Sequence, residues 1–293
     1  METPSEDPSE AGGASGAEET TGAEKPAATK KSQLLVKLPT DVCNTPDAMC
    51  LLPDGNIIVS VPNFNDLSQP SLFMKITPEN EAEPFMELPN HPVTEKPMGP
   101  LGICLAPNGD IFFADFQQEG ERQSRVMRIA MKDGQPQEIV PVIEGFTVSN
   151  AVIVHDGHLY VSETQIDAEA RPAVSGVFRF KLEDLQDAVV ELANPVTDDP
   201  HLIGTIETFD EELPLGADGL AFDDEGNLYI GNFSDGTVHR FQFDDEGKVT
   251  TNEIFAKADF MKSADGLCAD PETGVIYVAD SLANAVQMVK PDG

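Results

Sequence analysis

Positive charge is scarce in this sequence. Its 293 residues hold 18 Lys and Arg against 52 Asp and Glu, a formal charge of −34. A surface so negative repels phosphate backbones and anionic lipid, which argues against nucleic-acid and membrane partners and makes a divalent cation the natural counter-charge. Long apolar runs are missing too: nothing approaches the ~18 residues that a membrane-spanning helix needs. The four cysteines, Cys43, Cys50, Cys104 and Cys268, form no C-x-x-C pair. A zinc or dithiol redox centre is therefore not indicated, and the expectation is four buried small hydrophobes. A basic start followed by an apolar segment, the mark of a secretory signal, is absent, so the default location is cytoplasmic, with secretion left open. The sequence also lacks Gly-x-Ser-x-Gly, a glycine-rich phosphate loop and a dinucleotide fingerprint. What is present is globular in composition, with 40% hydrophobic and 24% charged residues.

Residues 1–32 contain no Val, Ile, Leu, Phe or Tyr. Such a stretch cannot bury enough apolar surface to offset its ordering entropy, so it is expected to be disordered. It carries seven acids and three lysines, a net charge of −4, which leaves −30 for a folded domain expected over residues 33–293.

That domain repeats. Residues 49–60, 103–114, 152–162, 220–231 and 267–278 each read as an apolar strand, a turn ending in Gly, and a second apolar strand. Turns such as Pro53-Asp-Gly55, Pro107-Asn-Gly109 and Asp224-Glu-Gly226 supply the positive φ that tight hairpins need. The β-branched and aromatic flanks suit a buried pleated surface. The turn glycines, Gly55, Gly109, Gly157, Gly226 and Gly274, are separated by 54, 48, 69 and 48 residues. A third strand follows at 72–76, 125–129, 176–180, 237–241 and 284–288, and a fourth at 84–88, 138–142 and 253–256. Antiparallel strands in groups of four, recurring at roughly 50 residues, predict an all-β fold, a β-propeller. The longest interval has room for a short outer helix over 181–194. Five blades are visible. Either residues 34–38 add an outer strand that completes a five-bladed ring, or the chain is a fragment of a six-bladed propeller. The ending in mid-blade at Lys290-Pro-Asp-Gly293 leads to the expectation of a domain incomplete at its C-terminus.

In a propeller the residue before each innermost strand stands at the mouth of the central channel. Those residues here are Asp47, Leu101, Asn150, Asp218 and Asp265. Four of the five are oxygen donors, where ordinary packing asks for nothing polar. Three carboxylates on one axis repel each other or take up protons. A hard cation relieves this, and carboxylate with amide oxygen is the donor set of Ca²⁺, although other divalent cations suit the same donors. The competing reading is that Asp-Gly and Asn are simply favoured in turns.

On these residues the sequence resembles the family of senescence marker protein, regucalcin and gluconolactonase, kin to paraoxonase and diisopropyl fluorophosphatase. Its most similar piece is Ser263-Ala-Asp-Gly-Leu-Cys-Ala-Asp270 followed by Gly274-Val-Ile-Tyr-Val-Ala279, and the resemblance runs from Val36 onward. It implies a six-bladed propeller with a catalytic calcium. Asp47 then takes the place of the family's Glu, Asn150 and Asp218 those of its two Asn, and Asp265 that of its Asp. Asp47 is one methylene shorter than Glu, and Asp218 adds a charge where Asn is usual. The implied reaction is calcium-dependent hydrolysis of a lactone or related ester, the ion polarising the carbonyl and acidifying a bound water. Asp265 serves as base or as nucleophile. Residues 163–171 resemble the substrate-lining loop, where Asp167 and Arg171 are candidates for contacting a small, sugar-derived substrate. Two alternatives stand beside this reading. One is a non-catalytic propeller that binds a ligand or protein around a structural ion, and the other is a strictosidine-synthase-like enzyme suggested by Pro100-Leu-Gly-Ile103. His155-Asp-Gly-His158, and the acidic runs at 223–226 and 244–247, read as hairpin turns.

Overall fold

The computed structural model describes residues 31–293, and the chain divides into residues 1–35 and 36–293. The expectation of disorder over residues 1–32 lies almost wholly outside the described residues. All that follows concerns the second unit, which is a β-propeller of five sheets.

Sheet I holds β1 (Met49–Leu51), β2 (Ile57–Val61), β3 (Leu72–Ile76) and β4 (Ala82–Glu87). Sheet II holds β5 (Pro100–Leu105), β6 (Ile111–Asp115), β7 (Ser124–Lys132) and β8 (Gln135–Phe146). Sheet III begins with β9 (Ser149–His155), β10 (His158–Asp167) and β11 (Ala173–Lys181). The chain then places β12 (Val190–Glu191) parallel to β8 on the edge of sheet II, and returns to complete sheet III with β13 (Leu202–Thr208). Sheet IV holds β14 (Ala217–Phe222), β15 (Leu228–Asn232), β16 (Thr237–Phe243) and β17 (Val249–Ala256). Sheet V holds β18 (Leu267–Ala269), β19 (Ile276–Asp280) and β20 (Ala285–Val289). The outer helix expected over 181–194 reduces to one 3₁₀ turn at Leu182–Leu185. Beyond it the β-branched Val190 prefers the pleated edge of sheet II.

The five turn glycines all sit at φ between 68° and 90°, a region that costs glycine little and other residues more. Alternating apolar residues fill the spaces between successive sheets. Phe73 meets Phe113 edge-on at 5.1 Å between sheets I and II, and Phe146 meets Phe178 at 5.4 Å between II and III. Ile230 and Phe241 face Val177 between III and IV, and Tyr229 and Val238 face Ile276 and Val278 between IV and V. Each such side chain contributes about 1.5–3 kcal/mol on burial.

The ring is open between sheets V and I. Innermost strands pack in the order β1, β5, β9, β14, β18, with no comparable packing of β18 on β1. Cys268, Tyr277, Val286 and Met288 share the outer face of sheet V and are exposed, as are Met49 and Leu51 on β1. Cys268 thus departs from the expectation of four buried thiols, because among the described residues no sheet packs on its face; Cys43 and Cys104 are buried and Cys50 partly so. The closing strand expected at 34–38 does not form. Val36 and Leu38 instead lie over the outer face of sheet I, against the cluster of Cys43, Val61 and Met74. Pro39, which has no amide proton for a ladder, accepts from the amides of Val42 and Cys43 as the chain turns. Among the described residues, no helix is long and apolar enough to cross a membrane.

Candidate site at the channel mouth

The repeat positions each channel-mouth residue through its neighbours in the fold. The Asp47 amide donates to the Ser60 carbonyl at 2.9 Å, and the Asp265 amide to the Ala279 carbonyl at 3.0 Å, within their own sheets. The next sheet's channel residue is then fixed by the preceding one. Ser60 Oγ donates to the Leu101 carbonyl, and Ser162 Oγ to the Asp218 carbonyl, both at 2.7 Å. Sheet IV does the same to Asp265 by close approach. The Gly219 amide donates to the Asp265 carbonyl at 3.1 Å. A Cβ on Gly219 would lie 2.2 Å from that oxygen, and one on Gly231 would lie 2.9 Å from it and 2.4 Å from the Ala264 carbonyl.

Four of the expected donors gather here from four sheets. Asn150 Nδ2 donates to Asp218 Oδ2 at 2.8 Å, joining sheets III and IV. Asp218 is buried, Asn150 and Asp265 are half-buried, and Asp47 touches solvent on the open side. Burial, followed by the charges of Asp265 and Asp47, raises the Asp218 carboxyl well above its ordinary value, against the pull of the Asn150 amide. The protein atoms crowded around Asp47, with the charge of Asp265, lift its carboxyl to about 7 even though its side chain still meets water. Burial also raises Asp265, opposed by hydrogen bonds from Ser281 and from the Gly266 amide. Among the described residues, no Lys, Arg or His is among the groups acting on these three acids. The donors therefore have the chemistry a hard divalent cation takes. Their spacing is looser than that of a closed metal cage: among the described residues, no three His, Cys, Asp or Glu side chains converge on one ion position. Leu101, the second-sheet counterpart, is apolar and buried.

Asp167 is the last residue of β10 and Arg171 lies on the loop that follows, and this end of β10 is on the same side as the start of β9 and hence as Asn150. Both are exposed and engaged with their own loop. Asp167 Oδ1 accepts from the amides of Glu169 and Ala170, and Arg171 Nη1 donates to the carbonyls of Ala168 and Ala170.

Sequence reading passed over a second polar register. Asp115, Glu163, Asn232 and Asp280 each lie on the second strand of their sheet, one residue past the buttress position, and all are fully buried. They grip the segment leading to the channel. Asp115 accepts from the Gly99 amide, Glu163 from Thr147 and Val148, and Asp280 from Lys262 and Ser263. Asn232 donates to the Glu207 carbonyl and accepts from Thr208. Burial pushes Glu163 up to about 7, against its backbone donors and Arg122, whereas Asp280's several donors outweigh burial and hold it low. Arg125 donates to Asp115 Oδ2 through Nε at 3.1 Å and Nη2 at 2.6 Å. The signal was available: an acid or amide recurs directly after Ala114, Ser162, Gly231 and Ala279.

Fold and site together define a β-propeller with acidic and amide side chains at the channel mouth. No protein-family model matches the chain, and no curated protein does. Solved structures do share its fold. A gluconolactonase from Xanthomonas campestris superposes with a TM-score of 0.56 at 16% identity, covering 86% of this chain and 75% of that one. A luciferin-regenerating enzyme gives 0.56 at 12% identity, over 85% and 73%. An aldose sugar dehydrogenase from Streptomyces coelicolor, bound to PQQ, gives 0.55 at 15% identity, over 85% and 79%.

Proposed function

We propose that the protein is a hydrolase of lactones or related cyclic esters that works at the channel mouth with a divalent cation, Ca²⁺ by preference. The observation that carries this reading is the meeting of Asp47, Asn150, Asp218 and Asp265, from four sheets, with no Lys, Arg or His among the described residues acting on their charges. The shared fold with a gluconolactonase supports it. A divalent cation bound there supplies Lewis acidity toward an acyl oxygen. Asn150 and Asp218 brace one another through their 2.8 Å hydrogen bond. Asp265 is half-buried and reachable by a small substrate, and acts as base toward water or as nucleophile toward the acyl carbon. Water adds to that carbon, the ring C–O bond breaks, and the proton ends on the released hydroxyl. A non-catalytic ligand-binding propeller draws on one contrary observation, the loose spacing of the acids.

The test is hydrolysis of a small lactone panel with and without chelator, by wild type and by Asp265→Asn. The expected result is activity that chelator abolishes and Ca²⁺ restores, with at least a hundredfold loss in the variant, in line with a loss of about 10²–10⁴ for a missing general base. Activity indifferent to both changes sinks the proposal. Cation binding by calorimetry without turnover favours the ligand-binding propeller.

A further inference from the structure

A separate recess lies at the far end of the same blades. β9 starts beside Asn150 and ends at His155, and β14 starts beside Asp218 and ends at Phe222. At ~3.3 Å per residue these ends stand roughly 13–17 Å from the channel mouth. Between the two hairpins is a groove of about 590 Å³, a volume typical of small-molecule sites.

Its floor is aromatic. His155 stacks flat on Phe222, centroids 3.9 Å apart and planes 7° from parallel. Tyr160 meets Phe222 edge-on at 4.9 Å, and Phe243 lies 6.5 Å from Phe222. Tyr160, Phe222 and Phe243 continue the core between sheets III and IV to its outer end. The other innermost strands end in Leu51, Leu105 and Ala269, so rings occur at this register only in the two adjacent sheets that border the groove.

Its rim is acidic. Asp156, Glu225, Asp244, Asp245 and Glu246 line it, and among the described residues none of them is within ion-pair distance of a Lys or Arg. Arg179 is the one Lys or Arg in the lining; its Nη1 donates to the Gly247 carbonyl, and its single positive charge stands against five carboxylates. Carboxylates in hairpin turns are commonly just solvated, and Asp244 does cap the Lys248 amide. Solvated turns do not need an aromatic floor beneath them. Rings below and unpaired carboxylates above suit a ligand that is positive at one end and apolar at the other, through cation–π and ion-pair attraction together.

We propose that this groove binds an organic cation, a primary ammonium or guanidinium on an apolar, ring-bearing body. The same chemistry comes from a free arylalkylamine or from a basic residue beside an aromatic one in a peptide. Phenethylamine is the probe for the first source and Phe-Lys amide for the second, with phenethyl alcohol and phenylacetate as neutral and anionic controls, all titrated by calorimetry against the full chain. Glu225→Gln and Asp245→Asn are the variants, both on exposed turns, and Asp265→Asn controls for capture at the channel mouth. Saturable binding of an amine probe is expected, with the controls failing and each groove variant weakening it about two- to five-fold, the scale of an exposed ion pair. Tighter binding of phenethylamine or of Phe-Lys amide assigns the source. No saturable binding of either amine below about 10 mM, equal binding of phenethyl alcohol, indifference to both groove variants, or loss in Asp265→Asn would each overturn the proposal.

Discussion

Gly231 and Gly219 hold Asp265 in place by having no side chain. A Cβ at either position falls under 3 Å from backbone oxygens of the 264–265 segment, so the segment must move to admit it. Gly231→Ala is expected to cost about 1–3 kcal/mol, the usual penalty of overpacking, read from urea unfolding. If the proposed cation site is real, the variant should also weaken Ca²⁺ binding measured by calorimetry; full stability with unchanged binding would contradict the buttress. His239 gives a pH-dependent prediction. It is buried on β16 with both ring nitrogens unpartnered, and burial lowers its pKa from 6.5, opposed by Asp235 and Asn252. The unfolded chain protonates near 6.5 while the folded chain does not, so the residue withdraws stability as pH falls below that value and stops doing so beneath the folded pKa. The slope is at most about 1.4 kcal/mol per pH unit. His239→Leu should flatten the fall in melting temperature between pH 7 and 5 relative to wild type. The position of Asp47, Asn150, Asp218 and Asp265 was legible because an acid or amide recurs at one register of the repeat. Neither glycine's role was, since close approach between two sheets leaves no trace in either strand alone.

The element that repeats most regularly is the grip of sheets II to V on the segment entering the channel. In sheet II the grip is ionic: Asp115 and Arg125 are both buried, Nε and Nη2 of Arg125 both donate to Asp115 Oδ2, and Oδ1 takes the Gly99 amide and the Gln117 side chain. Removing one partner leaves an uncompensated buried charge. Arg125→Met is therefore expected to cost about 3–5 kcal/mol, and the double variant with Asp115→Asn less than the sum of the singles, since the lone charge is gone. Additive losses in a double-mutant cycle would show the pair to be unlinked. At this scale the hairpins were legible because glycine at positive φ and β-branched flanks mark them locally. The fourth strand of sheet III was not. The chain leaves after Lys181, lends Val190–Glu191 to sheet II and returns at Leu202, and such a detour is decided by edge availability in another sheet. The strand expected at 34–38 failed for the converse reason: its apolar residues found a face to cover before they found a ladder to join.

Across the whole molecule the decisive contrast is between covered and uncovered sheet faces. Sheets I–IV bury apolar residues against a following sheet, and the glycines at Gly102 and Gly219 are pressed against the next innermost strand, within 2.6 and 2.2 Å of its backbone for an added Cβ. Gly266, their counterpart on sheet V, meets nothing within 4 Å. The repeat told how many hairpins there are, but whether the ring closes depends on how far each sheet rotates from the last, which no strand encodes by itself. On the open side Val286 is 66% exposed and Met288 57%, beside Tyr277 and Cys268. A contiguous apolar patch of this kind on a folded chain attracts hydrophobic dyes and neighbours. Native protein should therefore enhance ANS fluorescence, and Val286→Thr with Met288→Gln should reduce that signal while changing stability by no more than about 0.5 kcal/mol, as befits surface substitutions. Because these side chains face away from sheet IV, a large loss of stability in the double variant would mean that the face is covered in solution, and unchanged ANS enhancement would place the dye's binding site elsewhere.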